Sequence, residues 1–161
     1  MTDWTTLTGA DLLVSLRIPR GWEVSAPDEH HLVVQGPTDA TLRPTLTIED
    51  GEPEEPGHDW FDGFAAAVPR LLAAQVEGFE LLDVERFRLS SFYADVLMVT
   101  ARRGVGELSA TTQVQAYVWV RNDTMYVLGG STPVEHEARD LPVLVEMVRS
   151  LRILPPRPGS A

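Results

Sequence analysis

Apolar side chains recur at every second position over Leu12, Val14, Leu16 and Ile18, a period of two that predicts a β-strand with one face strongly buried. The stretch then breaks in "IPRGW". Pro19 lacks the donor that a central ladder needs, Gly21 permits a sharp bend, and Trp22 is then free to seal an edge of the core. "HLVVQG" (31–36) and "PTLTIED" (44–50) read as two more short strands, separated by the turn-rich "GPTDATLRP". In the second of these Leu46 and Ile48 face one way while Thr45, Thr47 and Glu49 face the other, so one side of the sheet is wet there.

"DGEPEEPGHD" (50–59) is too acidic to bury and too rich in breakers to form an element, and reads as a surface loop. Phe61, Phe64, Ala65, Val68 and Leu72 then fall at helical spacing, with Asp59 placed to cap the first turn and Gly78 to mark the stop. Pro69 inside that pattern predicts a kink or the start of a second short helix. From 79 to 132 the chain reads as a meander of four long strands, "FELLDVERFRL", "FYADVLMVTARR", "ELSATTQVQAYVWVRN" and "TMYVLGGST". Ser90-Ser91, Gly104-Val105-Gly106 and Asn122-Asp123 mark the turns. In the third strand Ala110, Thr112, Val114, Ala116, Val118 and Val120 form one face; Thr111, Gln113, Gln115, Tyr117, Trp119 and Arg121 form the other. Thr132-Pro133-Val134-Glu135 reads as a capping box opening a helix, with Val134, Ala138, Leu141, Val145 and Val148 on one side and Pro142 within. A short extended stretch and a Pro-rich tail over 155–161, expected to be disordered, close the chain.

The 161 residues suffice for one domain, drawn here as 1–154, with a real core and no need of disulfides. Strands without a βαβ rhythm, plus helices, predict an α+β fold: an antiparallel sheet of about six or seven strands with helices packed on its faces. A first strand ending in "IPRGW", a "PTLTI" strand, a mid-chain helix, a long meander and a closing "MVRSLRI" together resemble the PsbP-like α/β/α sandwich, over about residues 10–154. Its branches include a photosystem extrinsic subunit, a nuclear-import factor that binds the Ran GTPase, LpqN-type actinobacterial lipoproteins and type VI effector-associated chaperones. This chain has no lipobox cysteine and no thylakoid transit segment, so the resemblance points to the intracellular bacterial branch and implies protein binding or chaperoning.

Thirteen basic against 24 acidic side chains give a net charge of −11 and a pI near 4.7, a mean field that repels nucleic-acid phosphates and anionic headgroups. Partners are therefore expected among basic or apolar protein segments, with no nucleic acid and no membrane insertion. The absence of cysteine excludes a disulfide framework, a thiol nucleophile and thiolate metal sites. "MTDWTTLTGADLLV" lacks the basic n-region of a signal peptide, and no stretch approaches the roughly 20 apolar residues of a membrane span. The expected location is cytoplasmic.

No motif announces a chemistry. His30 and His31 are adjacent and point to opposite faces of a strand, His58 and His136 stand alone, and solvated loop or strand-end roles are expected for all four. Asp50, Glu52, Glu54, Glu55, Asp59 and Asp62 match no cation-ligand spacing and read as a solvated acidic loop or a lure for a basic partner. "GGST" (129–132) lacks the context of a nucleophile elbow or phosphate cradle. The best candidate surface is Tyr117 and Trp119 beside Gln113 and Gln115, joined by Tyr126 or Tyr93, the competing expectation being that these aromatics pack under a helix. Trp4 and Trp60 are expected in the core. The function these features favour is a non-catalytic protein-binding module without cofactor or metal. It would be an adaptor or chaperone, secretion-associated, with homodimerisation open. The alternative is a small-molecule or lipid carrier with a cavity between the sheet and a Pro69- or Pro142-bearing helix.

Overall fold

The computed structural model describes residues 3–9, 11–37, 43–106, 110–121 and 124–155. Two sheets divide the strands. The smaller holds β1 (Trp4–Gly9), β2 (Val14–Pro19) and β10 (Arg152–Ile153) in the order β1-β2-β10. The larger holds β3 (Glu23–Asp28), β4 (His31–Gln35), β5 (Thr45–Gly51), β6 (Glu80–Arg88), β7 (Asp95–Arg103), β8 (Thr111–Arg121) and β9 (Thr124–Pro133). Its order is β3-β4-β5-β9-β8-β7-β6, antiparallel throughout. Helix α1 (His58–Gln75) joins β5 to β6, and α2 (Glu137–Arg149), entered through the 3-10 turn Val134–His136, joins β9 to β10.

Strand alternation sorts the core onto the two faces of the large sheet. Val96 and Met98 of β7 join Leu46, Ile48, Val114, Val118 and Leu128 under α2 (Leu144, Met147) and the small sheet (Val14, Leu16). Their neighbours Leu97 and Val99 point the other way and join Phe61, Ala65 and Val68 of α1. The result is the three-layer α+β sandwich that the strand and helix spacing predicts, with burial of each large apolar side chain stabilising it by about 1.5–3 kcal/mol. Two polar pins hold α2 in place. Arg102 (β7) grips Glu137 through two 2.8 Å hydrogen bonds while the Thr112 hydroxyl donates to the same carboxylate at 2.6 Å. These partners lower the Glu137 pKa to about 2. Asp140, 4% exposed, accepts from the Thr132 hydroxyl at 2.6 Å and from Arg139 at 2.8 Å. Burial pushes its carboxyl up, but these two donors outweigh burial and hold it below the ordinary range.

Several local expectations are corrected. Pro69 does not divide α1, which runs unbroken from His58 to Gln75. Asp59 does not cap it; Gly57 is the cap residue and Asp59 lies in the first turn, where its charge suits the helix dipole. Thr132 forms no capping box, because β9 extends through Pro133 and the Thr132 hydroxyl is taken by Asp140. The first expected strand lies in the small sheet between β1 and β10, and β1 and β3 were not anticipated. Trp22 does pack against the core: the Trp22 amide donates to the Pro19 carbonyl, Gly21 takes φ +93°, and the indole lies over Gly36. A Cβ on Gly36 would stand 2.9 Å from that ring and 2.7 Å from Pro44. The expected turn at 122–123 and, from 156 on, the expected tail lie outside the described residues.

Candidate functional site

Tyr117 and Trp119 lie on the face under α1, and the helix covers both. The Phe64 ring meets Tyr117 edge-on at 5.0 Å, and His58 meets Trp119 at 5.0 Å. Burial raises the Tyr117 phenol pKa, and its hydroxyl donates to Gln115 at 2.8 Å. Tyr126 belongs to the opposite face. It pairs with Val118, is 4% exposed, and donates to the Leu12 carbonyl at 2.5 Å. Tyr93 is 79% exposed in the turn between β6 and β7. The predicted aromatic cluster is therefore split. Trp60, stacked on Phe64 at 5.1 Å, packs with the α1 cluster, and Trp4 packs against the larger one.

Gln113 and Gln115 remain accessible, at the margin where α1 stops covering the sheet. Beyond that margin the face continues over the Ser131 end of β9 and the Thr45 end of β5, with no helix of the described residues on it. Gln113 stands opposite Ser131, which stands opposite Thr45; Gln115 stands opposite Gly129, which stands opposite Thr47. These two rows of amide, hydroxyl and bare backbone line a shallow groove of about 310 Å³, with Arg103 at one end. The Thr47 hydroxyl donates to the Gly129 carbonyl at 3.3 Å. Further along the same strands the surface is acidic. His31 lies 2.8 Å from Asp28 and 3.1 Å from Glu49, and its pKa is raised chiefly by Asp28. His30 lies 2.9 Å from Asp50.

His58 is not the solvated loop residue expected. It opens α1 with Nε2 2.7 Å from Oδ2 of Asp95, a β7 carboxylate 5% exposed. Asp62 completes a group whose ligand atoms lie within 4.8 Å of one another, the spacing of a metal site. Arg86 occupies it instead, bonding Asp95 through Nε and Nη2 at 3.1 and 2.9 Å and Asp62 at 2.5 Å. Burial pushes the Asp95 carboxyl up, but the bonds from Arg86 and His58 prevail and hold it low. The guanidinium already supplies the cation, so this is an ionic clasp between α1, β6 and β7. Asp50 and Asp62, the ends of the expected acidic cluster, go to different partners. The pocket between Leu72 of α1 and the sheet is about 10 Å³, barely room for one water.

No protein-family model and no curated protein matches the chain by sequence. Solved structures do match by shape. The cyanobacterial PsbP (CyanoP) of Synechocystis superposes with a TM-score of 0.63 at 11% identity, over 95% of this chain and 94% of its own. The chain has the PsbP-like fold. The same PsbP-like fold is found in the Ran-binding protein Mog1p of Saccharomyces cerevisiae (TM-score 0.64, 12% identity, 96% and 97% covered). It is also found in LpqN of Mycobacterium tuberculosis, a protein involved in cell envelope biogenesis (TM-score 0.58, 15% identity, 95% and 91% covered). At these identities the likeness is one of fold. The expected PsbP-like sandwich is what the structure has, and in this chain its α1 face is left half open.

Proposed function

We propose that this PsbP-like domain is a non-catalytic protein-binding module, an adaptor or chaperone working in the cytoplasm, and that a partner segment lies on the open half of the large sheet. One observation carries the reading: two rows of amide, hydroxyl and bare glycine backbone form a groove on a part of the sheet face that no described element covers. Such groups hydrogen-bond an extended peptide, and Gly129 leaves room for its backbone to approach. The acidic end at Asp28 and Glu49 and the net charge of −11 select a basic segment over an apolar one. That a protein of the same fold is named for binding Ran supports the class of function. The free edge of β6, with Leu81, Leu82 and Val84 exposed, is where a second copy would add to the sheet.

The test is capture from native lysate by the wild-type chain and by Gly129→Leu and Gln115→Arg variants, each first shown to fold. Gly129 has an ordinary negative-side backbone, so a leucine there fills the groove without straining φ. Loss of one partner with both variants, and its elution by a basic peptide of that partner, is the expected result. A partner retained by both variants moves the site elsewhere, and no partner at all removes the reading.

A further inference from the structure

A second groove, of about 490 Å³, opens between the small sheet, the last turn of α2 and the end of β6. Its charge runs against the rest of the molecule. Arg17, Arg88, Arg149 and Arg152 line it, and Glu146 is the one acidic side chain among the described residues of its wall; with Arg149 neutralised by Glu85, the local excess is two positive charges on a chain of net −11. Arg149 is paired with Glu85 and lies over the Phe87 ring at 5.3 Å. Arg17 lies over the Trp4 ring at 5.3 Å, and neither Arg17, Arg88 nor Arg152 has a carboxylate partner among the described residues. Arg20, Arg43, Arg86 and Arg102, elsewhere on the surface, each have one, whereas Arg70 and Arg103 among the described residues do not.

The chain has also left neutral donors facing the same space. Ser15 lines the groove, and its accessible hydroxyl, with no protein hydrogen-bond partner among the described residues, is free to donate to an occupant. The loop that brings Ser90 to the groove continues into Phe92 and Tyr93, 45% and 79% exposed, at φ +55° and +48°. Left-handed backbone costs a non-glycine residue about 1–2 kcal/mol, and here two successive aromatics bear it while facing solvent.

We infer that this groove is a binding site for a phosphate group carried by a small soluble ester. Guanidinium forks and hydroxyl donors match tetrahedral phosphate oxygens, and the volume suits a small molecule. Phe92 and Tyr93, two and three residues beyond Ser90, are the exposed rings that this loop offers to an aromatic or sugar portion beyond the phosphate. An extended polyanion does not fit, because beyond the groove it meets the acidic surface.

The experiment titrates isotope-labelled full-length protein with inorganic phosphate and with phenyl phosphate, following backbone amides. Saturable shifts at Ser15, Arg17, Ser90 and Arg152 are expected, with phenyl phosphate the tighter ligand. The Arg88→Ala/Arg152→Ala double variant weakens binding by about tenfold or more, as loss of charge-assisted bonds demands, whereas Arg70→Ala on α1 leaves it unchanged. Non-saturable shifts, or shifts that survive the double variant, overturn the site. A parallel sedimentation with phosphatidic acid/phosphatidylcholine vesicles separates the sources: binding to vesicles without binding to soluble phosphate also overturns it.

Discussion

The two faces of the seven-stranded sheet carry the same backbone and opposite roles. On the α2 face Leu46, Ile48, Val114 and Leu128 are fully buried beneath a helix and a second sheet, and the cover is pinned by Glu137 and Asp140. On the α1 face the helix covers β7, β8 and the Met125 end of β9, leaving Thr45, Thr47, Gln113, Gln115 and Ser131 in an accessible groove. Stability is concentrated on one face and accessible hydrogen-bonding groups on the other. A scaffold closed on one side can leave the other free for recognition, because the residues exposed there contribute little to holding the fold.

The most direct way to break this comparison uses two neighbours on β5. Leu46→Ala removes a fully buried side chain and is expected to cost about 3 kcal/mol, while Thr47→Ala, one residue on, changes stability by no more than about 0.5 kcal/mol. Urea denaturation of both variants measures the difference, and equal costs would mean that the open face is a second load of core. Next in size is Asp140→Ala, expected to cost about 2–3 kcal/mol because it strands the Thr132 hydroxyl, 1% exposed, without its acceptor. Restoration of most of that loss by adding Thr132→Val would identify the orphaned hydroxyl as the cause.

The pins also give the covered face a pH signature. The Glu137 pKa falls from 4.5 to about 2 on folding, so its contribution is fully present above pH 4.5 and is lost as pH falls toward about 2. Asp95, also held low, adds stability in the same acid direction through its clasp with Arg86 and His58. Glu137→Gln is expected to flatten the decline in stability below pH 4.5, measured by urea midpoints across that range. An unchanged slope would show that the ion pair with Arg102 contributes nothing to the fold.

How much of this was legible in the sequence follows from range. Period-two alternation on β5 and β8 gives the faces correctly, and helical spacing gives α1 and α2, because each signal is written within one element. The strands it misses lack the signal: β3 is exposed at every position and contains Pro27, and half of β1 is threonine. Tyr117 and Trp119 are placed on the right face, but strand spacing holds nothing about where α1 stops, and that boundary decides that Gln113 and Gln115 are open and the aromatics are not. Tyr126 is misplaced because its face depends on the register Val118–Tyr126 across a turn. The clasp of His58, Asp95 and Arg86 and the groove of Arg17, Arg88, Arg149 and Arg152 join residues from distant elements, which no local spacing records.

The finest test of the two faces lies in a pair of adjacent glycines on β9. Gly130 points to the covered side, where a Cβ would stand 3.3 and 3.5 Å from the two Leu144 methyls and 3.5 Å from Leu46. Gly129 points to the open side, where a Cβ meets only the Thr47 hydroxyl oxygen, at 3.4 Å. Leu144 is fully buried and has no free space to retreat into, so Gly130→Ala is expected to destabilise by about 1 kcal/mol through overpacking. Gly129→Ala is expected to be neutral or to stabilise by about 0.5 kcal/mol, since it restricts the unfolded chain and meets one exposed side chain that can turn away. Thermal midpoints of the two variants decide it: a gain at 130 or a loss at 129 would mean that the two faces differ less in packing than their burial shows.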